Sequence, residues 1–156
     1  MLDFKKKSIV LLQGVLTQGA LAKIKPKGDY IVICEGRPGL RAAEHNSRFF
    51  LEKKIKPILI CDNMAGFLFS NDFVKEVILA CQHADKTGAL CDTGALILAV
   101  LAKKHKVAVR LMEAEHKKHF LGTAKDLLTL KGVATAPQGT RTYVPLVEWV
   151  PKKYLI

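Results

Sequence analysis

Apolar residues along this chain fall into short blocks with two different periods. Ser8–Leu12, Tyr30–Cys34, Pro57–Cys61, Val74–Cys81 and Val107–Met112 are nearly continuous apolar runs of strand length. Such runs predict strands buried on both faces. Pro57 fits only the first position of its strand, because it has no N–H for a ladder. Helical patterns separate the runs. Val15–Lys23 ends at Lys25-Pro26-Lys27-Gly28, Leu40–Lys54 carries a stripe of Leu40, Ala43, Ser47, Phe50 and Leu51, and Met64–Ser70 is short. The span from Asp92 or Thr93 to His105 is apolar almost all round, which predicts a central helix with one of these two residues as its N-cap. Beyond residue 112 the periodicity weakens. Glu113–Lys131 is expected to be helical with breaks at Gly122 and Gly132, and Pro137–Thr142 to be a loop. The closing run Val144–Pro151 is too apolar for water and should dock on the domain or on a second copy of it.

Five apolar strands alternating with helices predict an α/β fold, a three-layer, Rossmann-like, doubly wound and mainly parallel sheet in one domain over residues 1–156. Ligands of such sheets gather outside the carboxyl ends of the strands. Two polar motifs fall there: Glu35-Gly36-Arg37-Pro38 and Cys61-Asp62-Asn63-Met64-Ala65-Gly66. Arg37 can hold a phosphate or carboxylate through two parallel hydrogen bonds, or pair locally with Glu35. Arg41, one helical turn on, either adds a second cation or stays solvated. Asp62 and Asn63 can bond a sugar hydroxyl or cap the helix that begins at Met64. Asp92 at the start of the central helix brings negative charge to a place otherwise suited to an anion, so it reads as a cap standing in for a ligand contact.

Charge and cysteine usage narrow the partners. Twenty-five basic and 14 acidic residues give a net charge of +11, which favours anionic ligands or partners. The lysines are dispersed, several at expected helix ends where cations offset the dipole, and the aromatics lie in apolar runs instead of among them. Nucleic acid is therefore possible but not favoured. The four cysteines lack CxxC spacing, which points to reduced thiols and a cytoplasmic protein. Lys5–Lys7 followed by Ser8–Leu16 loosely mimics a secretory leader, but Gln13, Gly14, Thr17 and Gln18 interrupt it and no cleavage is expected. No apolar run approaches the roughly 20 residues of a membrane span, and no membrane association is expected. Cys81, His83 and Cys91 lack paired metal-ligand spacing, and His116-Lys117-Lys118-His119 reads as a solvated helix face, so neither a metal nor a cofactor is expected. Cys91 near a helix start could act as a nucleophile, but Asp92 opposes its thiolate and no histidine is placed to activate it.

The order and spacing of several motifs resemble one family. They are Glu35-x-Arg37-Pro38, Lys56-Pro57-Ile58 through Asp62-Asn63-Met64-Ala65-Gly66, Val77-Ile78-Leu79, Gly94 with Leu98–Lys103, and Pro145–Pro151. Together, over roughly residues 8 to 156, they resemble the carboxyl-terminal domain of methylthioribose-1-phosphate isomerases, ribose-1,5-bisphosphate isomerases and the regulatory subunits of initiation factor 2B. The resemblance implies a proton-shuttling cysteine after the first strand and an aspartate after the fourth. Here those places fall near Gln13-Gly14 and Gln82, and an amide orients a substrate but cannot exchange protons near neutrality. A substrate-facing Asn-Lys pair of the family appears as Cys91-Asp92, and a glutamine after Arg-Pro as Arg41. The helical amino-terminal lobe of full-length relatives is expected to be missing.

The resulting expectation is a ligand cleft of Gln13, Arg37, Arg41, Asp62, Asn63, Gln82 and Asp92 that binds a small anionic, phosphorylated metabolite or serves regulation or assembly, without catalytic residues. Family members pair through this domain, so a homodimer is expected. Two alternatives stay open: an aldose–ketose isomerase using Cys81, Cys91 or Asp92, and a basic module binding RNA or an acidic protein.

Overall fold

The computed structural model describes residues 3–116 and 119–155. Strand β1 (Ile9–Gln13) is buried throughout and forms the middle of a parallel set with β2 (Tyr30–Cys34), β3 (Ile58–Ile60) and β4 (Val74–Ala84) in the order β3-β2-β1-β4. Beyond β1, the 11-residue β4 serves two partners. Its residues Glu76–Cys81 pair in parallel with β6 (Ala108–Glu113), while Cys81–Ala84 pair antiparallel with β5 (Gly88–Asp92). Strand β9 (Val147–Pro151) then closes antiparallel on β5. The sheet is mainly parallel and the fold is α/β, as the alternating pattern predicts.

Period-two alternation along β1 divides the interior into two cores. Val10 and Leu12 face a cluster with Leu16, Leu21 and Phe50, on the side of α1 (Gln18–Ala22) and α2 (Arg41–Glu52). Ile9 and Leu11 face the other cluster, with Leu68, Phe69, Leu98 and Ala99, on the side of α3 (Ala65–Ser70) and α4 (Ala95–Lys104). Three layers follow from this alternation. Helix α4 is central as expected, with Ala95, Leu98, Ala99 and Ala102 buried.

Two sequence readings change, and a third is narrowed. The expected helix Glu113–Lys131 does not form as one element. Glu113 still belongs to β6, Ala114 N–H bonds Cys81 O at 3.0 Å, and only α5 (Ala124–Leu128) is helical before the hairpin β7 (Thr129–Leu130) and β8 (Val133–Ala134). Helix α5 buries no residue and rests on a Thr123–Asp126 capping box, so the weak periodicity had no packing surface to extend it. Gly88–Asp92, which the apolar pattern assigns to no element, is strand β5. It pairs on one side with β4 across the short turn at residues 85–87 and on the other with β9, more than 50 residues later, and a local pattern cannot signal the second of these ladders. The closing segment thus docks on its own domain: Val147 and Val150 are buried, and Thr93 Oγ1 donates to Pro145 O at 2.9 Å. Lys117 and Lys118 of the expected solvated helix face lie outside the described residues.

Candidate functional site

The carboxyl ends of β1 and β2 open into a cleft of about 220 Å³ whose lining includes Gln13, Arg37, Arg41, Asp92, Asp126 and Leu146. Each part is held by a specific local device. Gly14 follows β1 with φ +83°, a left-handed conformation natural to glycine, and a Cβ there would lie 2.7 Å from Ala80 Cβ and 2.8 Å from Asp92 Oδ2. Asn46 of α2, fully buried, clamps this turn. Its Nδ2 donates to Gly14 O at 2.9 Å and its Oδ1 accepts from Leu16 N–H at 3.3 Å. Asp92 Oδ2 accepts from Val15 N–H at 3.3 Å, so the β1 turn is tied to β5 as well. Gln13, only 2% exposed, donates from Nε2 to Thr93 O at 2.8 Å, while its buried Oε1 has no hydrogen-bond partner among the described residues.

Arg37 is positioned from below by Asp62. That carboxylate accepts from Gly36 N–H at 2.9 Å and Arg37 N–H at 2.8 Å, fixing the Glu35-Gly36-Arg37 turn with two charge-assisted bonds. Asp62 is therefore not the helix cap that was one of its two readings: the 3-10 turn Asp62–Met64 begins after Cys61 without a side-chain cap. Among the described residues Arg37 makes no ion pair, so its local pairing with Glu35 is not formed. Its buried Nη1 has no hydrogen-bond partner. Arg41 lines the cleft while its side chain stays exposed, with Nη2 3.3 Å from Glu115 Oε2.

The remaining sequence candidates separate. Asn63, exposed, lines with Asp62, Gln13, Gly94 and Ile97 a second, mostly apolar cleft of about 350 Å³ on the α3–α4 side. Gln82 sits at the β4 bulge where pairing shifts register between Cys81 and His83, and it lines neither cleft. Gln13 stands between the two clefts and belongs to both.

Asp92 is not the N-cap of α4. That place belongs to Gly94 at φ +99°, and the free backbone donors are met from β9: Glu148 Oε1 accepts from Gly94 N–H and Leu96 N–H, both at 2.8 Å. The helix terminus that could have held an anion is filled by the chain's own carboxylate. Glu148, Asn46 and Asp126 are the site residues that sequence reasoning missed. For Glu148 the only local signal was a lone acid inside an apolar run. Asp126 bonds Thr123 N–H at 2.6 Å and its hydroxyl at 2.8 Å, and these bonds hold its carboxyl below the usual range.

Burial and nearby carboxylates favour the neutral form of the thiols. Cys81 and Cys91 face each other across β4 and β5. Burial pushes both thiols up, and for Cys91 the neighbouring Cys81 and the charges of Asp92 and Glu148 push in the same direction. Burial also raises Cys34, and Glu35 chiefly raises Cys61. A neutral thiol is a weak nucleophile and a weak metal ligand. Among the described residues no three histidine, cysteine or acidic side chains converge as metal ligands, and no helix is long and apolar enough to cross a membrane.

Comparison with known proteins places these features in a lineage. The methylthioribose-1-phosphate isomerase of Syntrophus aciditrophicus is 28% identical over 133 residues, a match covering 78% of this chain and 36% of that protein. That of Carboxydothermus hydrogenoformans is 36% identical over 74 residues, 47% of this chain and 22% of that one. Among solved structures, a 5-methylthioribose 1-phosphate isomerase from Pyrococcus horikoshii OT3 superposes with TM-score 0.80 at 22% identity, over 96% of this chain and 49% of that chain. The delta subunit of translation initiation factor eIF-2B from A. fulgidus superposes with TM-score 0.79 at 17% identity, over 97% and 51%. The chain thus spans a little over a third of the curated relative that it matches over most of its own length, and about half of these solved chains. The model of the initiation factor 2 subunit family matches residues 12–155, nearly the whole sequence, and this chain belongs to that family.

Proposed function

We propose that the cleft between β1 and β2 binds a small anionic, phosphorylated metabolite and that the chain does so without the isomerisation of its relatives. One observation carries this reading. Arg37 brings an unpaired guanidinium with a shielded, unpartnered Nη1, and Gln13 brings a buried, unpartnered Oε1, into one cleft. A guanidinium suits a phosphate, and a carbonyl oxygen suits a hydroxyl donor on the same ligand. The argument against proton transfer is chemical. By the family resemblance, the places of its cysteine and aspartate fall near Gln13-Gly14 and near Gln82, and an amide does not exchange protons near pH 7. Asp92, a carboxylate in the lining of the same cleft, accepts the Val15 N–H through Oδ2.

The test is a thermal-shift series with pentose monophosphates and inorganic phosphate, since a ligand of the native state at 100 times its Kd stabilises by about 2.7 kcal/mol. A shift in wild type that vanishes in Arg37→Ala is the expected outcome. Ketose formation from an aldose phosphate, seen by NMR and abolished by Cys91→Ser or Asp92→Asn, overturns the non-catalytic part. Pairing into a homodimer is part of the proposal. Met64 of the 3-10 turn, Phe67 of α3 and Ile97 and Val100 of α4 stand at 40% to 66% exposure beside the second cleft, an apolar face that a second copy would cover. Sedimentation showing monomer alone at high concentration removes this element.

A further inference from the structure

The five parallel strands β3, β2, β1, β4 and β6 all start at the sheet edge opposite the cleft, and the chain reaches each start through lysines. Lys5–Lys7 precede β1, and Lys23, Lys25 and Lys27 precede β2. Lys53, Lys54 and Lys56 precede β3, Lys75 is the second residue of β4, and Lys103, Lys104 and Lys106 precede β6. All thirteen are exposed. The same segments hold four carboxylates, Asp3, Asp29, Glu52 and Asp72, so thirteen less four leaves +9 at this edge out of a chain total of +11. Lysines scattered along the sequence are thus gathered by the topology into one strip.

Ordinary uses explain only part of the strip. Lys7 pairs with Asp72 and Lys75 with Asp29, each at 2.8 Å, and among the described residues the other eleven make no ion pair. Helices α2 and α4 end at this edge, so Lys53, Lys103 and Lys104 offset their dipoles. Lys5, Lys6, Lys25, Lys27 and Lys56 lie beyond any last helical turn and have no such role. Five neighbouring strands about 4.8 Å apart spread the row over about 19 Å. One strand of a duplex presents a phosphate about every 3.4 Å of helix axis and a single strand is more extended, so the row faces at most about five or six of them. Leu51, beside Glu52, is exposed, but no other large apolar side chain of these segments stands exposed with it, which leaves no apolar cluster to insert into a lipid surface.

We propose that this lysine edge binds the phosphate backbone of RNA, independently of base sequence and on the side away from the metabolite cleft. The test is fluorescence anisotropy of the full chain with a labelled oligouridine of roughly 20 nucleotides. With about five phosphates neutralised, affinity for a single strand should fall about 100-fold between 50 and 200 mM salt. The variant Lys5→Glu/Lys6→Glu/Lys25→Glu/Lys27→Glu should lose at least about tenfold at the lower salt and flatten the salt slope. Lys53→Glu/Lys54→Glu/Lys56→Glu/Lys106→Glu should do the same and serves as an independent set should the first fail to fold. Lys86→Glu/Lys131→Glu, outside the strip, should bind as wild type. Salt-insensitive binding, equal loss in the Lys86/Lys131 variant, no binding to oligouridine, or binding confined to phosphatidylserine vesicles overturns the proposal.

Discussion

Replacing Glu148 by alanine tests the observation that β9, not the residues just before α4, terminates that helix. Its carboxylate accepts two backbone N–H groups, from Gly94 and Leu96, at 2.8 Å each in a half-buried place. Losing an N-cap costs about 1 kcal/mol, with about 2 as the upper end. Removing a charge that complements the helix dipole adds about 0.3–1 kcal/mol. The sum for Glu148→Ala is about 2 kcal/mol, and with a urea m-value of about 2 kcal/mol/M the unfolding midpoint should drop by about 1 M. Glu148→Gln keeps an oxygen acceptor and loses only the charge, so its midpoint should fall by less than half as much. Equilibrium unfolding followed by circular dichroism measures both. If Glu148→Ala unfolds within about 0.2 M of wild type, the cap is not energetically significant and β9 is an incidental edge strand.

Three further outcomes follow from the same geometry. Asp62→Ala removes both bonds that hold the Gly36 and Arg37 N–H groups, and should destabilise by about 2–4 kcal/mol in a urea titration; Asp62→Asn, which keeps one acceptor, should lose about half of that. Gly14→Ala combines a left-handed backbone, about 1–2 kcal/mol, with overpacking against Ala80 and Asp92, about 1–3 kcal/mol, and should unfold about 10 °C below wild type by calorimetry. Cys34 and Cys91 have thiol pKa values raised above the ordinary 9.0 by burial, so they stay protonated in the folded chain while the unfolded chain ionises. Stability is therefore full below about pH 9 and declines as pH rises above it, and a urea midpoint that falls between pH 8 and pH 10 in wild type and falls less in Cys34→Ala is the check.

The sequence by itself determined the parallel core. Residues 9–13, 30–34 and 74–81 are apolar enough to be strands buried on both faces, and that property is local to each segment. It also located Arg37 and Gln13 on the carboxyl edge, because residues that follow a parallel strand can lie nowhere else. Only the tertiary structure decided what depends on segments distant in the chain. Strand β5 takes its second ladder from β9, the α4 terminus takes its cap from Glu148, and Asp62 serves the Arg37 turn 25 residues away instead of its own helix. The same holds for charge. Along the sequence the lysines look like separate helix-end residues, and only the shared direction of five strands brings thirteen of them to one edge. Hydrophobic periodicity is written in neighbouring residues, whereas hydrogen-bond partners and electrostatic surfaces are set by which strands lie side by side.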